Sequence, residues 1–241
     1  MAESKTLVTF LLDRTGSMQR IKQDTIGAFN AYLDGLKAEK DAKIDFTLLQ
    51  FDSVSLDKMC VAVPVSHAPK LDNANYQPRA WTPLIDASYK TIKAVEESLN
   101  GSKDTKVVIC IQTDGDENAS HEYTWEQLNN LIKEKTALGW QFNFMGASID
   151  AYKQAGKMGI GVGSTISYNS LDPVMTMSNF ASRASATAAY ATGTRSDMTF
   201  TAAEKLAAGD VYDPDLKKKS TGTTVPPKQD KRKSVVEDFK L

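Results

Sequence analysis

The sequence predicts an α/β fold in which a doubly wound, mostly parallel six-stranded sheet carries helices on both faces. Three observations support this prediction. Apolar strand-like runs alternate with helical repeats, the links between them are short, and two of the runs end in an aspartate that a glycine follows within three residues. Strands and helices that alternate in this way form sheets covered by helices on both sides.

The first part of the chain contains three of the predicted strands. The apolar run Leu7–Asp13 predicts a buried central strand, and apolar side chains then recur at helical spacing from Met18 to Leu36. A strand at 43–51 follows. The next strand, at 59–65, comes after a turn that is too short for a helical crossover, so the two are expected to pair antiparallel. Pro64 indicates that this third strand lies at a sheet edge.

The later elements continue the alternation. Thr82 as N-cap and Pro83 at the first helical position predict a helix over 83–99. A second apolar run ends at Asp114, and a helix is predicted near 123–137. The remaining predicted elements are a strand at 140–145, a helix near 150–158, a strand at 164–168, a helix at 173–191 and a short helix at 201–209.

Composition indicates a globular chain with room for a large core. Of its 241 residues 41% are hydrophobic, no apolar run approaches the roughly 20 residues of a membrane span, and no signal peptide is evident at the start. Cys60 and Cys110 fall in apolar runs and are interpreted as buried thiols. We therefore expect a cytoplasmic protein with no membrane association.

Charge is distributed unevenly along the chain. The segment 214–241 carries eight basic and four acidic residues and lacks periodicity, which predicts a flexible basic tail. The rest of the chain carries 21 basic and 26 acidic residues, so nucleic-acid binding is not expected. We predict a main domain at 1–192, a small helical extension at 193–213 and this tail.

Oxygen-bearing side chains cluster at the predicted strand ends. Asp13, Thr15 and Ser17 stand at alternate positions after the first strand, and Thr82 and Asp114 lie in two later segments. In an open parallel sheet, ligands bind outside the carboxyl ends of the strands where strand order reverses, so these side chains are expected to meet there. Such hard oxygen ligands suit Mg²⁺ or Mn²⁺.

Each of these residues also has a plainer interpretation. Ser17 and Thr82 are typical helix N-caps, and Asp114 is typical of a turn. The joint occurrence of such residues at three separate loops, in this order, favours the metal site.

With these residues the chain resembles the von Willebrand factor A (vWA) domains, in particular intracellular prokaryotic or phage members. Their metal-ion-dependent adhesion site (MIDAS) has the pattern D-x-S-x-S, then T, then D. The matching positions are Asp13, Thr15, Ser17, Thr82 and Asp114, with Thr15 in place of a serine. The resemblance covers about residues 5–192. It implies strand order 3-2-1-4-5-6 with strand 3 antiparallel, and a Mg²⁺ (or Mn²⁺) ion.

The resemblance also implies a function. In the family, an Asp or Glu of a protein partner completes the coordination of the ion, so the chain is expected to be a metal-dependent adaptor and not an enzyme. Arg14, Asp116, Glu117 and His121 are expected to form the partner-binding rim. The two acids are interpreted as solvated side chains that repel wrong anions, and His121 as a surface residue at a helix start.

Two other functions remain open from the sequence. FLLDRTGS and TDGDEN are similar to motifs of haloacid-dehalogenase phosphotransferases, which would make Asp13 a nucleophile, although Thr15 stands where that family usually has an acid. Alternatively, the chain is a metal-independent scaffold that acts through its tail. The apolar end of the tail, Val235–Leu241, would then dock on a partner or mediate self-association, with Glu237 or Asp238 reaching the metal of a second copy.

Overall fold

A computed structural model of the chain describes residues 5–102, 104–147 and 150–210. The strands are β1 (Thr6–Asp13), β2 (Ile44–Phe51), β3 (Leu56–Pro64), β4 (Lys106–Thr113), β5 (Gln141–Ala147) and β6 (Thr165–Tyr168). The α-helices are α1 (Lys22–Ala38), α2 (Leu84–Leu99), α3 (Trp125–Ala137), α4 (Ala151–Met158), α5 (Pro173–Thr192) and α6 (Ala202–Ala207). The predicted tail at 214–241 lies outside the described residues.

The six strands form one sheet in the order β3-β2-β1-β4-β5-β6. Neighbouring strands are parallel except β2 and β3, which are antiparallel. The predicted fold class, strand order and antiparallel third strand are confirmed. β3 occupies an edge, as Pro64 indicated.

Successive side chains of β1 point to opposite faces of the sheet, and both faces are covered. Val8, Phe10 and Leu12 belong to the core under α1 and α5, whereas Leu7 and Leu11 belong to the core under α2, α3 and α4. All eight residues of β1 are buried. A strand enclosed on both sides in this way needs the nearly continuous apolar sequence that it has.

The strand order places the end of β1 at a switch point. From β1 the chain crosses through α1 to β2, and from β4 it crosses in the opposite direction through α3 to β5. Leu12 is in register with Gln112, so Asp13 lies beside Thr113 at the carboxyl edge. The two diverging crossovers leave a crevice between the ends of β1 and β4.

The start of α1 differs from the prediction. A 3₁₀ segment at Gly16–Ile21 precedes the α-helix, and Ser17 lies inside it without capping it. A 3₁₀ turn is a common way to begin a helix. Here it leaves the Ser17 hydroxyl available for contacts outside the helix.

The predicted cap of α2 was wrong. The helix begins at Leu84, Pro83 takes the N-cap position, and no side chain of that residue caps the helix. The hydroxyl of Thr82 instead donates to Thr15 Oγ1. The Thr-Pro pair thus predicted the start of α2 to within one residue, but the predicted role of Thr82 as its cap was wrong.

The predicted burial of the thiols is confirmed for Cys110 alone, because Cys60 is only half-buried. Burial raises the pKa of both thiols, that of Cys110 to about 11. Both cysteines are therefore neutral side chains at ordinary pH.

The short helix predicted at 201–209 is present. Thr201 and Glu204 form a capping box at the start of α6, and Gly209 follows the helix with φ of +72°. Met198 and Phe200 are buried in the core under α1 and α5. In the part of the chain that the structure describes, no helix combines the length and the apolar character that crossing a bilayer requires.

Candidate metal centre

The structure brings the predicted hydroxyl groups and Asp114 together at the carboxyl edge of the sheet. The Ser17 hydroxyl donates to Asp114 Oδ1 at 2.5 Å, and Ser17 Oγ lies 3.2 Å from Thr15 Oγ1. The Thr82 hydroxyl donates to Thr15 Oγ1 at 3.2 Å. Three loops that are distant in sequence thus supply one continuous group of oxygens.

Asp13 lies at the base of this group and is buried. Its Oδ1 accepts the Thr15 N–H at 2.6 Å, and its Oδ2 accepts the Thr113 hydroxyl at 2.5 Å. The Tyr76 hydroxyl donates to the backbone oxygen of Asp13 at 2.7 Å. Burial raises the pKa of Asp13 to about 7, because the hydrogen bonds from Thr113 and Thr15 offset the lost hydration only in part.

One carboxylate oxygen of Asp114 lacks a hydrogen-bond donor among the described residues. This oxygen, Oδ2, is buried, and the half-exposed Arg20 lies beside it with Nη2 at 3.6 Å. Burial raises the pKa of Asp114, although Ser17 and Arg20 act in the opposite direction. A buried acceptor left without a partner is costly, and a divalent cation would satisfy it.

Gly115 leaves the space beside these oxygens open. A Cβ at this position would lie 3.0 Å from Thr82 Oγ1 and 3.4 Å from Ser17 Oγ. Any side chain at residue 115 would therefore press against Thr82 Oγ1 and come into contact with Ser17 Oγ. Together, three hydroxyls, two carboxylates and this open space fit a hard divalent cation such as Mg²⁺ or Mn²⁺.

We expect Gly115→Ala to lower Mg²⁺ affinity at least about tenfold, since each misplaced oxygen ligand costs on the order of 1 kcal/mol or more. Isothermal titration calorimetry of the purified chain measures this loss. Gly27→Ala is the matched control, because a Cβ at Gly27 in α1 would meet nothing within 4 Å. Equal affinities of the two variants would contradict this description of the centre.

An ion-pair network holds the loops around the centre. Asp52 is buried at the end of β2, and its Oδ2 accepts from Arg14 Nε at 3.0 Å and from Arg79 Nε at 2.9 Å. Arg14 also donates to Asp57 at 2.8 Å. Arg14 was expected on the rim, but it is only 7% exposed and its guanidinium is directed to these two acids.

Backbone hydrogen bonds join the same loops. The N–H of Gly16 donates to the carbonyl of Ala80 at 3.0 Å, and the N–H of Arg79 donates to the carbonyl of Arg14 at 2.9 Å. Ala80 has φ of +61°, an unfavourable value for a residue with a Cβ. The network around Asp52 therefore holds a strained turn just before Thr82, and this turn places the Thr82 hydroxyl at the centre.

The predicted rim acids have different surroundings. Asp116 is exposed, as expected of a solvated acid. Glu117 is not free, because its carboxylate accepts the Ile85 N–H at 2.9 Å and the Ser120 hydroxyl at 2.7 Å. Glu117 thus caps α2, the role that the sequence assigned to Thr82. The interpretation of Glu117 as a solvated side chain was wrong.

His121 lies in the loop before α3 and its side chain is 81% exposed. With Asp86 and Glu122 it forms a second group whose geometry would allow a metal ion. Asp86 already accepts the backbone N–H groups of His121, Glu122 and Tyr123. Glu122 is paired with Lys90 at 2.5 Å. Glu122 thus already has a cationic partner and His121 is exposed, so the group of Asp86, His121 and Glu122 fits a cation less well than the centre at Asp114.

Sequence reasoning missed several residues that shape the centre. Thr113 was identifiable in principle, because it immediately precedes Asp114 at the end of a buried strand. Tyr76, Asp52 and Arg20 gave no such signal. Their roles depend on contacts across 63, 38 and 94 residues of sequence, respectively.

Comparisons with known proteins agree with the fold. No protein-family model matches the sequence, and a search of curated proteins finds no match. Among solved structures, a von Willebrand factor type A protein from Catenulispora acidiphila superposes with a TM-score of 0.56 at 12% identity over 77% of this chain. The match spans 43% of the length of that protein.

A second solved structure is similar over nearly its whole length. The vWF domain of the type V pili tip protein Mfa5 from Porphyromonas gingivalis superposes with a TM-score of 0.54 at 9% identity, over 75% of this chain and 95% of that one. At such identities the likeness concerns the backbone architecture. The chain has the α/β fold of a von Willebrand factor A domain.

Proposed function

We propose that the chain is a Mg²⁺-dependent adaptor that binds a protein partner through an Asp or Glu of that partner. Asp13, Thr15, Ser17, Thr82 and Asp114 hold the ion. The main support is the buried Asp114 Oδ2, which has no hydrogen-bond donor in the described part of the chain. The other oxygen of this carboxylate accepts from Ser17, the first of three hydroxyls joined by hydrogen bonds. vWA-like folds often mediate protein interactions, which agrees with this role.

The composition of the centre supports acid recognition. Three of the five ligands are neutral hydroxyls, so only the two carboxylates carry negative charge to balance the divalent ion. The half-exposed Arg20 adds a positive charge beside Asp114. When bound, Mg²⁺ supplies positive charge and a ligand position that favours oxygen. A carboxylate from a partner matches both properties. Mn²⁺ has the same ligand preference and is an equivalent probe.

The surroundings of Asp13 support binding rather than catalysis. A phosphotransferase nucleophile needs a carboxylate oxygen that the substrate can approach, but Asp13 is buried. Its two oxygens accept hydrogen bonds from Thr15 and Thr113 and keep their second lone pairs, which suit a cation. Glu117, which is near the centre in sequence, accepts the Ile85 N–H at the start of α2 and so is not placed as a general base. The chain is therefore proposed to be a binding protein without an enzymatic step. Its proposed location is the cytoplasm.

Affinity capture from a lysate tests the proposal when the tagged full chain is used in Mg²⁺ and in EDTA, with Asp114→Ala in parallel. We expect a partner that is retained by the wild type in Mg²⁺ and lost in EDTA and with Asp114→Ala. Asp34→Ala is the control, because the Asp34 side chain is 53% exposed on α1 and pairs only with exposed Lys70 among the described residues. Partners retained under all conditions would contradict a metal-mediated contact.

A further inference from the structure

An exposed apolar surface lies directly beside the candidate metal centre. Trp81, which immediately precedes Thr82, is 68% exposed, and Val54 is 67% exposed. Two hydrogen bonds join their loops, from Ser53 N–H to the Trp81 carbonyl at 3.0 Å and from Trp81 N–H to Ser53 Oγ at 3.2 Å. Exposed large apolar side chains of this kind, beside a polar site, are typical of binding surfaces.

A cleft continues this surface away from the centre. It has a volume of about 160 Å³ and is lined by Val54, Leu56, Pro83, Ala87, Lys90 and His121, among others. Pro83 immediately follows Thr82, so a residue that lines the cleft is directly bonded to a residue of the metal centre. A cavity of roughly 150 Å³ admits a benzene ring, so the cleft accommodates one aliphatic or aromatic side chain.

The charged groups of the cleft are already satisfied. Asp52 and Asp86 accept hydrogen bonds, and Lys90 pairs with Glu122 at 2.5 Å. An apolar side chain therefore enters without leaving a new charge unpaired. Arg20, whose side chain is 54% exposed, lies on the metal side, with Nη2 3.6 Å from Asp114 Oδ2. Its charge favours a segment that is acidic there.

We propose that Trp81, Val54 and the adjoining cleft, together called the Trp81 surface, bind an apolar side chain that the partner carries near its metal-binding acid. The preferred partner segment thus combines an Asp or Glu with an aliphatic or aromatic residue a few positions away. This inference rests on the proposed function, because it assigns the specificity of the same site. The acid provides metal-dependent attachment and the apolar residue selects among acidic partners.

A library of short random peptides, displayed and selected on the full chain in Mg²⁺, tests this directly. We expect the enriched peptides to share an acid and an apolar residue at one constant spacing. For the best synthetic peptide, the double variant Trp81→Ser/Val54→Ser should weaken binding at least about tenfold. Replacing the apolar residue of the peptide by serine should cause the same loss, and the two changes together should lose little more.

Leu138→Ser is the matched control, because Leu138 is also 68% exposed but follows α3, at the amino ends of the strands. It should leave peptide binding unchanged. Metal-dependent peptides that carry an acid but no apolar preference would overturn the inference and leave the proposed function standing. An apolar preference that survives Trp81→Ser/Val54→Ser would also overturn it. Peptides that bind equally in EDTA, or no enrichment at all, would contradict the proposed function itself.

Discussion

Asp114→Ala is expected to abolish the Mg²⁺-dependent rise in thermal stability of the chain and to leave the metal-free protein about as stable as the wild type. Both effects follow from the surroundings of the carboxylate. Asp114 Oδ2 is buried and has no hydrogen-bond donor among residues 5–102, 104–147 and 150–210, so its removal relieves a desolvation cost. The substitution also removes the hydrogen bond from Ser17, which costs about 1 kcal/mol of unfolding free energy.

The size of the wild-type response follows from mass action. Mg²⁺ at 100 times its dissociation constant stabilises the native state by about 2.7 kcal/mol. For a chain of this length, that raises Tm by roughly 5–10 °C. Differential scanning calorimetry in Mg²⁺ and in EDTA measures the rise, with Asp34→Ala as a variant that should keep it. A rise for Asp114→Ala as large as that of the wild type would place the ion elsewhere.

Asp52→Ala is expected to lower the free energy of unfolding by about 3 kcal/mol, because it removes the buried partner of Arg14. It also releases Arg79, and with it the strained turn before Thr82, so Mg²⁺ affinity should fall although Asp52 is not a ligand. Urea denaturation measures the first effect and calorimetric Mg²⁺ titration the second.

Two variants separate the role of Asp52 from a general loss of charge. Asp57→Ala removes the 42% exposed partner of Arg14 and should cost less than about 1 kcal/mol. Asp52→Asn keeps an oxygen that accepts the N–H groups of Val54 and Ser55. Its loss of unfolding free energy should therefore lie between those of Asp52→Ala and Asp57→Ala. If Asp52→Ala destabilised no more than Asp57→Ala, the network would not hold the loops as described.

The Asp52 network also has a pH dependence. Burial raises the pKa of Asp52, but the hydrogen bonds from Arg79, Val54 and Ser55 and the charge of Arg14 outweigh this, so the pKa lies below its ordinary value. Because the pKa of Asp52 is lower in the folded state, its contribution to the free energy of unfolding is complete above the ordinary aspartate pKa range. This contribution is lost as the pH falls through the folded-state pKa. The destabilisation caused by Asp52→Ala should therefore shrink in strong acid.

The sheet was predictable because the apolar sequences of its central strands reflect the burial of those strands. β1 and β4 are buried on both faces, and such strands need the apolar runs that end at Asp13 and Asp114. The antiparallel β3 followed from a turn too short for a helix. The order of the strands followed from the resemblance, since periodicity alone does not fix which strands are neighbours.

The roles of single side chains around the centre were less predictable. Thr82 before Pro83 has the pattern of a helix cap, and the sequence cannot show that Glu117, more than thirty residues later, takes that role. Arg14 next to Asp13 resembles a rim residue until the fold brings Asp52 beside it. Such assignments depend on contacts between distant loops, which local patterns do not encode.

The most direct test of the metal centre is a crystal structure of the full chain grown with Mn²⁺, with anomalous diffraction used to locate the ion. We expect one strong anomalous peak among the oxygens of Asp13, Thr15, Ser17, Thr82 and Asp114. A crystal saturated with Mn²⁺ that shows no peak there, or shows its peak at Asp86, His121 and Glu122 instead, would contradict this expectation.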